Sequence, residues 1–216
     1  MNNILESFNK LNSNIEKLKP KRQVNIVAVS KTFTIDHIKP LIDSGHDHFG
    51  ENKVQEAVSK WSDIKKANQN IKLHMIGKLQ SNKAKDAAKL FDYIHSLDNQ
   101  KLADILSKFE KNSGKSNKYF IQVNIGNELQ KSGLPVNEVD QFYNYCVNEK
   151  NLNILGLMTI PPNDKNTKNY FKALDNLNSS LGLKDLSMGM SSDYQEAINY
   201  NATFIRIGSL IFGSRF

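Results

Sequence analysis

Apolar residues recur along this chain of 216 residues with two periods that take turns, a helical one and a short continuous one. Residues 3–18 place Ile4, Leu5, Phe8, Leu11, Ile15 and Leu18 on one face, which predicts an amphipathic helix ended by Lys19-Pro20-Lys21. Residues 24–29 are nearly all apolar and β-branched, as suits a parallel strand covered on both faces. A helix over 34–44 follows, with Ile38, Leu41 and Ile42 in step and Gly45 as its C-terminal cap. Pro40 requires that helix to start late or to kink.

The pattern then repeats. Strands are predicted at 48–51, 72–76, 93–97, 119–125, 152–158, 183–187 and 202–207. Helices are predicted around 54–64, 84–91 (with Ser81 as N-cap), 102–109, 135–147, 170–177 and 192–200, and a last helical turn follows the eighth strand. Strict alternation implies a parallel sheet. Eight units without a linker or composition break predict an α/β fold: one (β/α)8 TIM-type barrel over residues 1–216, with an extra N-terminal helix. A doubly wound open sheet is the competing architecture. It calls for a Gly-rich first turn, and Ser30-Lys31-Thr32-Phe33-Thr34 is not one.

Composition narrows the function classes. The net charge of +7 comes from 29 Lys and Arg against 22 Asp and Glu, mostly scattered lysines, densest at Lys17-Leu18-Lys19-Pro20-Lys21-Arg22. Such an excess favours anionic ligands without the fold signatures that nucleic-acid binding requires, so no nucleic-acid partner is expected. One cysteine, Cys146, excludes an intramolecular disulfide and falls in an apolar-periodic segment, as a buried thiol does. Residues 1–19 lack an apolar signal core and no run would span a bilayer, so a cytoplasmic protein with no membrane partner is expected. No metal site is assigned.

Barrel enzymes carry their sites at the carboxyl ends of the strands and often hold phosphate in the loops after strands seven and eight. Here those loops are Met188-Gly189-Met190-Ser191-Ser192 and Arg206-Ile207-Gly208-Ser209. The Ser191 hydroxyl, a close backbone approach at Gly208 and the amides of the turn opened by Ser209 suit a phosphate. Each taken singly is as well explained by capping or turning. Closure of the barrel brings Lys31, at the end of strand one, beside them. A lysine amine near a phosphate cradle is what an aldehyde cofactor such as pyridoxal phosphate requires. A phosphate counter-charge, or an aldolase-type lysine acting on a phosphorylated sugar, would use the same position. Strand alternation puts Phe204, Arg206 and Gly208 on one face, so Arg206 points into the barrel mouth. There it meets either a pyridine nitrogen or a carboxylate such as Asp98 or Glu51.

The residues also carry a resemblance. Ala28-Val29-Ser30-Lys31-Thr32, Phe49-Gly50-Glu51-Asn52-Lys53-Val54-Gln55-Glu56 and His74-Met75-Ile76-Gly77-Lys78-Leu79-Gln80-Ser81-Asn82-Lys83 are similar to motifs of the pyridoxal phosphate homeostasis protein family. So are Lys131-Ser132-Gly133, Gly156-Leu157-Met158-Thr159-Ile160-Pro161, Leu186-Ser187-Met188-Gly189-Met190-Ser191-Ser192-Asp193 and Arg206-Ile207-Gly208-Ser209-Leu210-Ile211-Phe212-Gly213. The resemblance runs nearly end to end. It implies a barrel of the alanine-racemase N-terminal type that holds pyridoxal 5′-phosphate as a Schiff base on Lys31. It also implies phosphate contacts from Ser191, Gly208 and Ser209, a pyridine contact from Arg206, and Asn52 and His74 in motifs near the cofactor. Ser209 stands where threonine is usual, Lys78 where the loop often carries proline, and Leu97-Asp98-Asn99 departs from the usual Val-Asp run.

The family is associated with intracellular cofactor homeostasis and has no established turnover. That implies a non-catalytic binder that buffers or delivers cofactor to apo-enzyme clients, with no catalytic residue assigned. An arginine at the pyridine nitrogen supports this, because it leaves the nitrogen unprotonated and the ring a poor electron sink. An amino-acid racemase is the alternative. Racemases take a second base from an additional C-terminal domain, and the sequence stops at Phe216. A monomer suffices, since one chain carries every expected contact.

Overall fold

The computed structural model describes residues 4–128 and 130–213; the predicted helix start at residue 3 lies outside them. The chain alternates helix and strand: α1 (Ile4–Lys17), β1 (Asn25–Val29), α2 (Ile35–Asp43), β2 (His48–Glu51), α3 (Val54–Ala67), β3 (Lys72–Met75), α4 (Ala84–Leu90) and β4 (Tyr93–Leu97). It continues with α5 (Gln100–Ser113), β5 (Lys118–Gln122), α6 (Val139–Asn144), β6 (Ile154–Met158), α7 (Thr167–Ser180), β7 (Asp185–Ser187), α8 (Tyr194–Asn199), β8 (Phe204–Ile207) and α9 (Ser209–Phe212). The eight strands are parallel and form a closed barrel in sequence order. Closure pairs β1 with β8, setting Val27 opposite Arg206 and Ala28 opposite Ile207. The expected (β/α)8 barrel with a preceding helix is what forms.

Two cores follow from strand alternation. Outward residues such as Ala28, Phe49, Leu73 and Ile121 pack with the helices in one large cluster. Inward residues Val27, Tyr93, Phe120, Met158 and Phe204 fill the barrel itself. Trp61 on α3 is fully buried against Phe49, with ring centroids 4.9 Å apart. The β6 and β7 backbones approach so closely at Gly156 that a Cβ there would lie 1.7 Å from the Asp185 carbonyl oxygen. Among the described residues, no helix is long and apolar enough to cross a membrane, and no group of three metal-ligating side chains forms.

Several boundaries differ from the sequence reading for local reasons. Pro40 sits within α2, whose start is capped by the Thr34 side chain accepting from the His37 amide. Ser81 is not an N-cap: it opens a 3-10 turn, Ser81–Lys83, that runs into α4 without a side-chain cap. The fifth strand stops at Gln122 rather than 125. There the Asn124 side chain accepts from the Glu128 amide and donates to the Glu128 carbonyl, closing a turn on the apolar Ile125. The helix expected over 135–147 is a 3-10 turn, then α6, then a π turn Tyr145–Glu149 that buries Cys146. Leu152 donates back to the Cys146 carbonyl, so β6 starts at Ile154 instead of 152.

Gly156→Ala is expected to lower stability by about 3 kcal/mol, the upper end for overpacking, because the new methyl meets backbone rather than a mobile side chain. Urea unfolding would show this as a lower midpoint at unchanged slope.

Candidate functional site

The cleft lies at the carboxyl ends of the strands, has a volume of about 530 Å³ and gathers residues from distant parts of the chain. Lys31, Asn52, Ser191, Arg206, Gly208 and Ser209 all line it, with Val29, Phe33, Ile76, Ile160 and Met190 as apolar walls. Six of the seven candidate residues are thus brought together. His74 is not: it is fully buried inside the barrel below the cleft.

Lys31 stands on a tight turn after β1. The Phe33 amide donates to the Ser30 carbonyl (3.2 Å), and Thr32 adopts φ 70°, the left-handed region that a β-branched residue occupies only under constraint. The constraint comes from α3. The Thr32 amide donates to Glu56 Oε1 (2.6 Å), and Lys60 Nζ donates to the carbonyls of Ser30 (2.8 Å) and Phe33 (3.0 Å). Glu51 anchors the same turn. Its Oε1 accepts from Ser30 Oγ (2.8 Å) and Trp61 Nε1 (2.9 Å) and pairs with Lys60 at 2.8 Å, whereas Oε2 has no hydrogen-bond partner. Glu51 therefore faces α3 and not the cleft.

Asn52 follows directly, held where Gly77 passes its backbone; a Cβ on Gly77 would lie 2.4 Å from the Asn52 carbonyl oxygen. Gly189, at φ 92° and packed on Ala197, folds the loop that presents Ser191. Asp193 fixes the same loop by accepting from the Met190 amide at 2.6 Å.

Arg206 is 4% exposed and donates through Nη1 to Ser187 Oγ (2.7 Å) and through Nη2 to the Thr159 carbonyl (2.8 Å). Neither Asp98 nor Glu51 pairs with it, and no carboxylate forms a salt bridge with it among the described residues. Burial lowers its pKa to about 10, with Asp193 offsetting part of the effect, so it stays charged at neutral pH. Below it three imidazoles form a ladder. His95 Nδ1 lies 2.7 Å from Ser187 Oγ, His74 Nδ1 lies 2.9 Å from His95 Nε2, and His48 Nδ1 lies 2.8 Å from His74 Nε2. Tyr93 stacks on His74 at 4.2 Å and Phe120 on His95 at 4.5 Å. Burial pushes the pKa of His74 and His95 well below the usual imidazole value and that of His48 down to about 4.

The sequence reading missed Lys60, Glu56, His95 and Ser187. The imidazoles had a signal, since His48, His74 and His95 occupy inward-facing positions of three successive strands. Lys60 sits i+4 from Glu56, but its reach across to Glu51 and the Lys31 turn is tertiary and leaves no spacing to read.

Comparison with known proteins gives the family and the overall fold. The family model described as alanine racemase, N-terminal domain, matches residues 7–216. A pyridoxal phosphate homeostasis protein of Synechocystis is 40% identical over 203 residues, 89% of this chain and 92% of that protein. One of Aquifex aeolicus is 36% identical over 199 residues, covering 88% and 86%. The structure of PipY from Synechococcus elongatus with PLP bound superposes with a TM-score of 0.87 at 33% identity, covering 98% of this chain and all of that one.

Two outcomes follow. Imidazoles held neutral in the native state take up protons once unfolded, so the unfolded chain binds more protons below about pH 6.5. Stability is therefore full above that pH and falls on acidification by about 1.4 kcal/mol per pH unit for each such histidine. For His48 the loss continues down to its folded value of about 4. Urea midpoints between pH 7 and 5 should show this, with a shallower slope in His74→Phe. Lys60→Met should cost about 3 to 5 kcal/mol, because it leaves Glu51 as an uncompensated buried carboxylate; thermal melts at neutral pH measure the loss.

Proposed function

The chain belongs to the pyridoxal phosphate homeostasis proteins, within the alanine racemase N-terminal domain family, and from that premise we propose that it binds pyridoxal 5′-phosphate in this cleft and holds or hands on the cofactor without turning over a substrate. The carrying observation is the chemistry of the lining. Two cations, Lys31 and Arg206, meet the small hydroxyl and backbone positions Ser191, Gly208 and Ser209, and no acidic side chain lines the cleft among the described residues. That donor set fits an anionic phosphate ester bearing an aldehyde. Ser191, Gly208 and Ser209 would take the phosphate, Asn52 would flank the ring, and the Lys31 amine would condense with the aldehyde as a Schiff base. Bound there, the cofactor would supply a latent aldehyde that amines can displace from Lys31.

Arg206 favours storage over turnover. A guanidinium only donates, so opposite a pyridine nitrogen it leaves that nitrogen without a proton and the ring weakly electron-withdrawing. Racemisation also needs two bases on opposite faces of the substrate. Among the described residues lining the cleft, Lys31 alone is a base, since Arg206 does not give up its proton. One chain supplies the whole lining, so a monomer suffices. It would act in the cytoplasm, where apo-enzymes that use the cofactor would be its clients.

Borohydride reduction of the loaded protein, followed by peptide mapping, should find a pyridoxyl group on Lys31 and none in Lys31→Ala. Arg206→Gln should weaken cofactor binding about ten-fold, the worth of a hydrogen bond from a charged donor, while Lys31 remains the trapped residue. Amino-acid racemisation by the purified chain that disappears in Lys31→Ala would instead support an enzyme.

A further inference from the structure

The barrel interior holds more polar machinery than a cofactor cleft requires. Ser187, His95 and His74 are fully buried and His48 is 9% exposed, yet each is hydrogen-bonded to the next in one unbranched file. The file starts at Arg206, whose buried guanidinium forms no salt bridge among the described residues and is offset only in part by the more distant Asp193. It ends at the opposite mouth of the barrel, where His48 Nε2 faces Asp47 Oδ1 across 3.7 Å. Buried charges are ordinarily paired, and a histidine file inside a barrel core is costly unless every member is satisfied.

The direction of the file is set at its arginine end. Arginine is a donor only, so Nη1 must donate to Ser187 Oγ. The Ser187 hydroxyl then has its own hydrogen to place, and the acceptor within reach is His95 Nδ1 at 2.7 Å. His95 must therefore carry its proton on Nε2 and donate to His74 Nδ1. By the same step His74 donates from Nε2 to His48 Nδ1, and His48 carries its proton on Nε2, toward Asp47. Every link points away from the guanidinium. The dipoles add head to tail, with their negative ends toward Arg206, which is the arrangement that stabilises a buried cation lacking a salt-bridge partner. Tyr93 stacks on His74 and Phe120 on His95, which fixes the orientation of those two rings.

We infer that Ser187, His95, His74 and His48 are positioning residues for Arg206: a one-way hydrogen-bond file of neutral Nε2–H imidazoles that stands in for a carboxylate, aims the guanidinium into the cleft and links it to the far mouth of the barrel. A carboxylate at Ser187 would bind the guanidinium more tightly but would neutralise it. The neutral file leaves its positive charge available to the cleft. The link to cofactor recognition rests on the reading of the cleft proposed above; the file itself does not.

Two measurements on the full chain test it. Long-range ¹H–¹⁵N correlation of the histidine rings at pH 7 should show His48, His74 and His95 neutral with the proton on Nε2. An Nδ1–H tautomer or an imidazolium at any of the three overturns the file. The second measurement is the affinity ratio between pyridoxal phosphate and its analogue with C–H in place of the ring nitrogen, which isolates what Arg206 contributes. His95→Phe should bring that ratio down about ten-fold while borohydride still traps pyridoxal phosphate on Lys31. His95→Gln, whose amide can accept from Ser187 and donate to His74, should keep the ratio. A ratio unchanged in His95→Phe, or lost equally in His95→Gln, overturns the positioning role. A wild-type ratio of one would instead overturn the pyridine contact assigned to Arg206 and leave the file to be judged by the tautomers.

Discussion

Barrel closure between β1 and β8 is the constraint on which the site depends. The parallel pairing that sets Val27 against Arg206 joins the two ends of the chain. A residue near position 30 and a loop near position 208 then share one cleft. Without that pairing Lys31 is a cation after an apolar strand and Gly208 is a turn. With it, a lysine amine, an arginine and a hydroxyl-rich corner face the same space. The arrangement is held from outside the barrel. Lys60 and Glu56 on α3 fix the Lys31 turn, and Glu51 ties Ser30 to Trp61. The left-handed backbone at Thr32 is sustained by these contacts, so the helix layer stabilises a conformation that the strand alone would not adopt.

The interior works differently. A TIM-type barrel is normally filled by branched apolar side chains. Here Val27, Tyr93, Phe120, Met158 and Phe204 fill much of it, but three imidazoles and a serine run through the middle. Their position accounts for His74, which its motif placed near the cofactor and the fold places one layer beneath. Its path to the cleft runs through His95, Ser187 and Arg206. That separation divides the proposed labour: residues at the strand ends line the cleft and would meet the ligand, while residues inside the barrel would set the orientation and charge of one of them.

Much of this was legible in the sequence because the governing signals are local. Apolar runs ending in Lys31, in Glu51-Asn52 and in Arg206-Ile207-Gly208 mark strand ends, and strand ends in a closed barrel are the site. Parity along β8 alone places Arg206 inward. What was not legible depends on contacts across the fold. Ser81 has the chemistry of an N-cap, but the chain enters α4 through a 3-10 turn and leaves it no capping role. Ile125 continues the apolar pattern of β5, yet the Asn124 side chain turns the chain first. Lys60 looks like a solvated lysine on α3 and is instead bonded to two carbonyls and a carboxylate beside the Lys31 turn.

The central claim is that the cleft holds its cofactor in order to release it. The most direct measurement is transfer from the loaded protein to an apo-enzyme that needs pyridoxal phosphate, followed with and without an excess of a reagent that captures free aldehyde. The account predicts that the apo-enzyme gains activity, that the gain depends on Lys31, and that the loaded chain alone converts no amino acid. A loaded chain that never yields its cofactor, and that turns over an amino acid by itself, would contradict it.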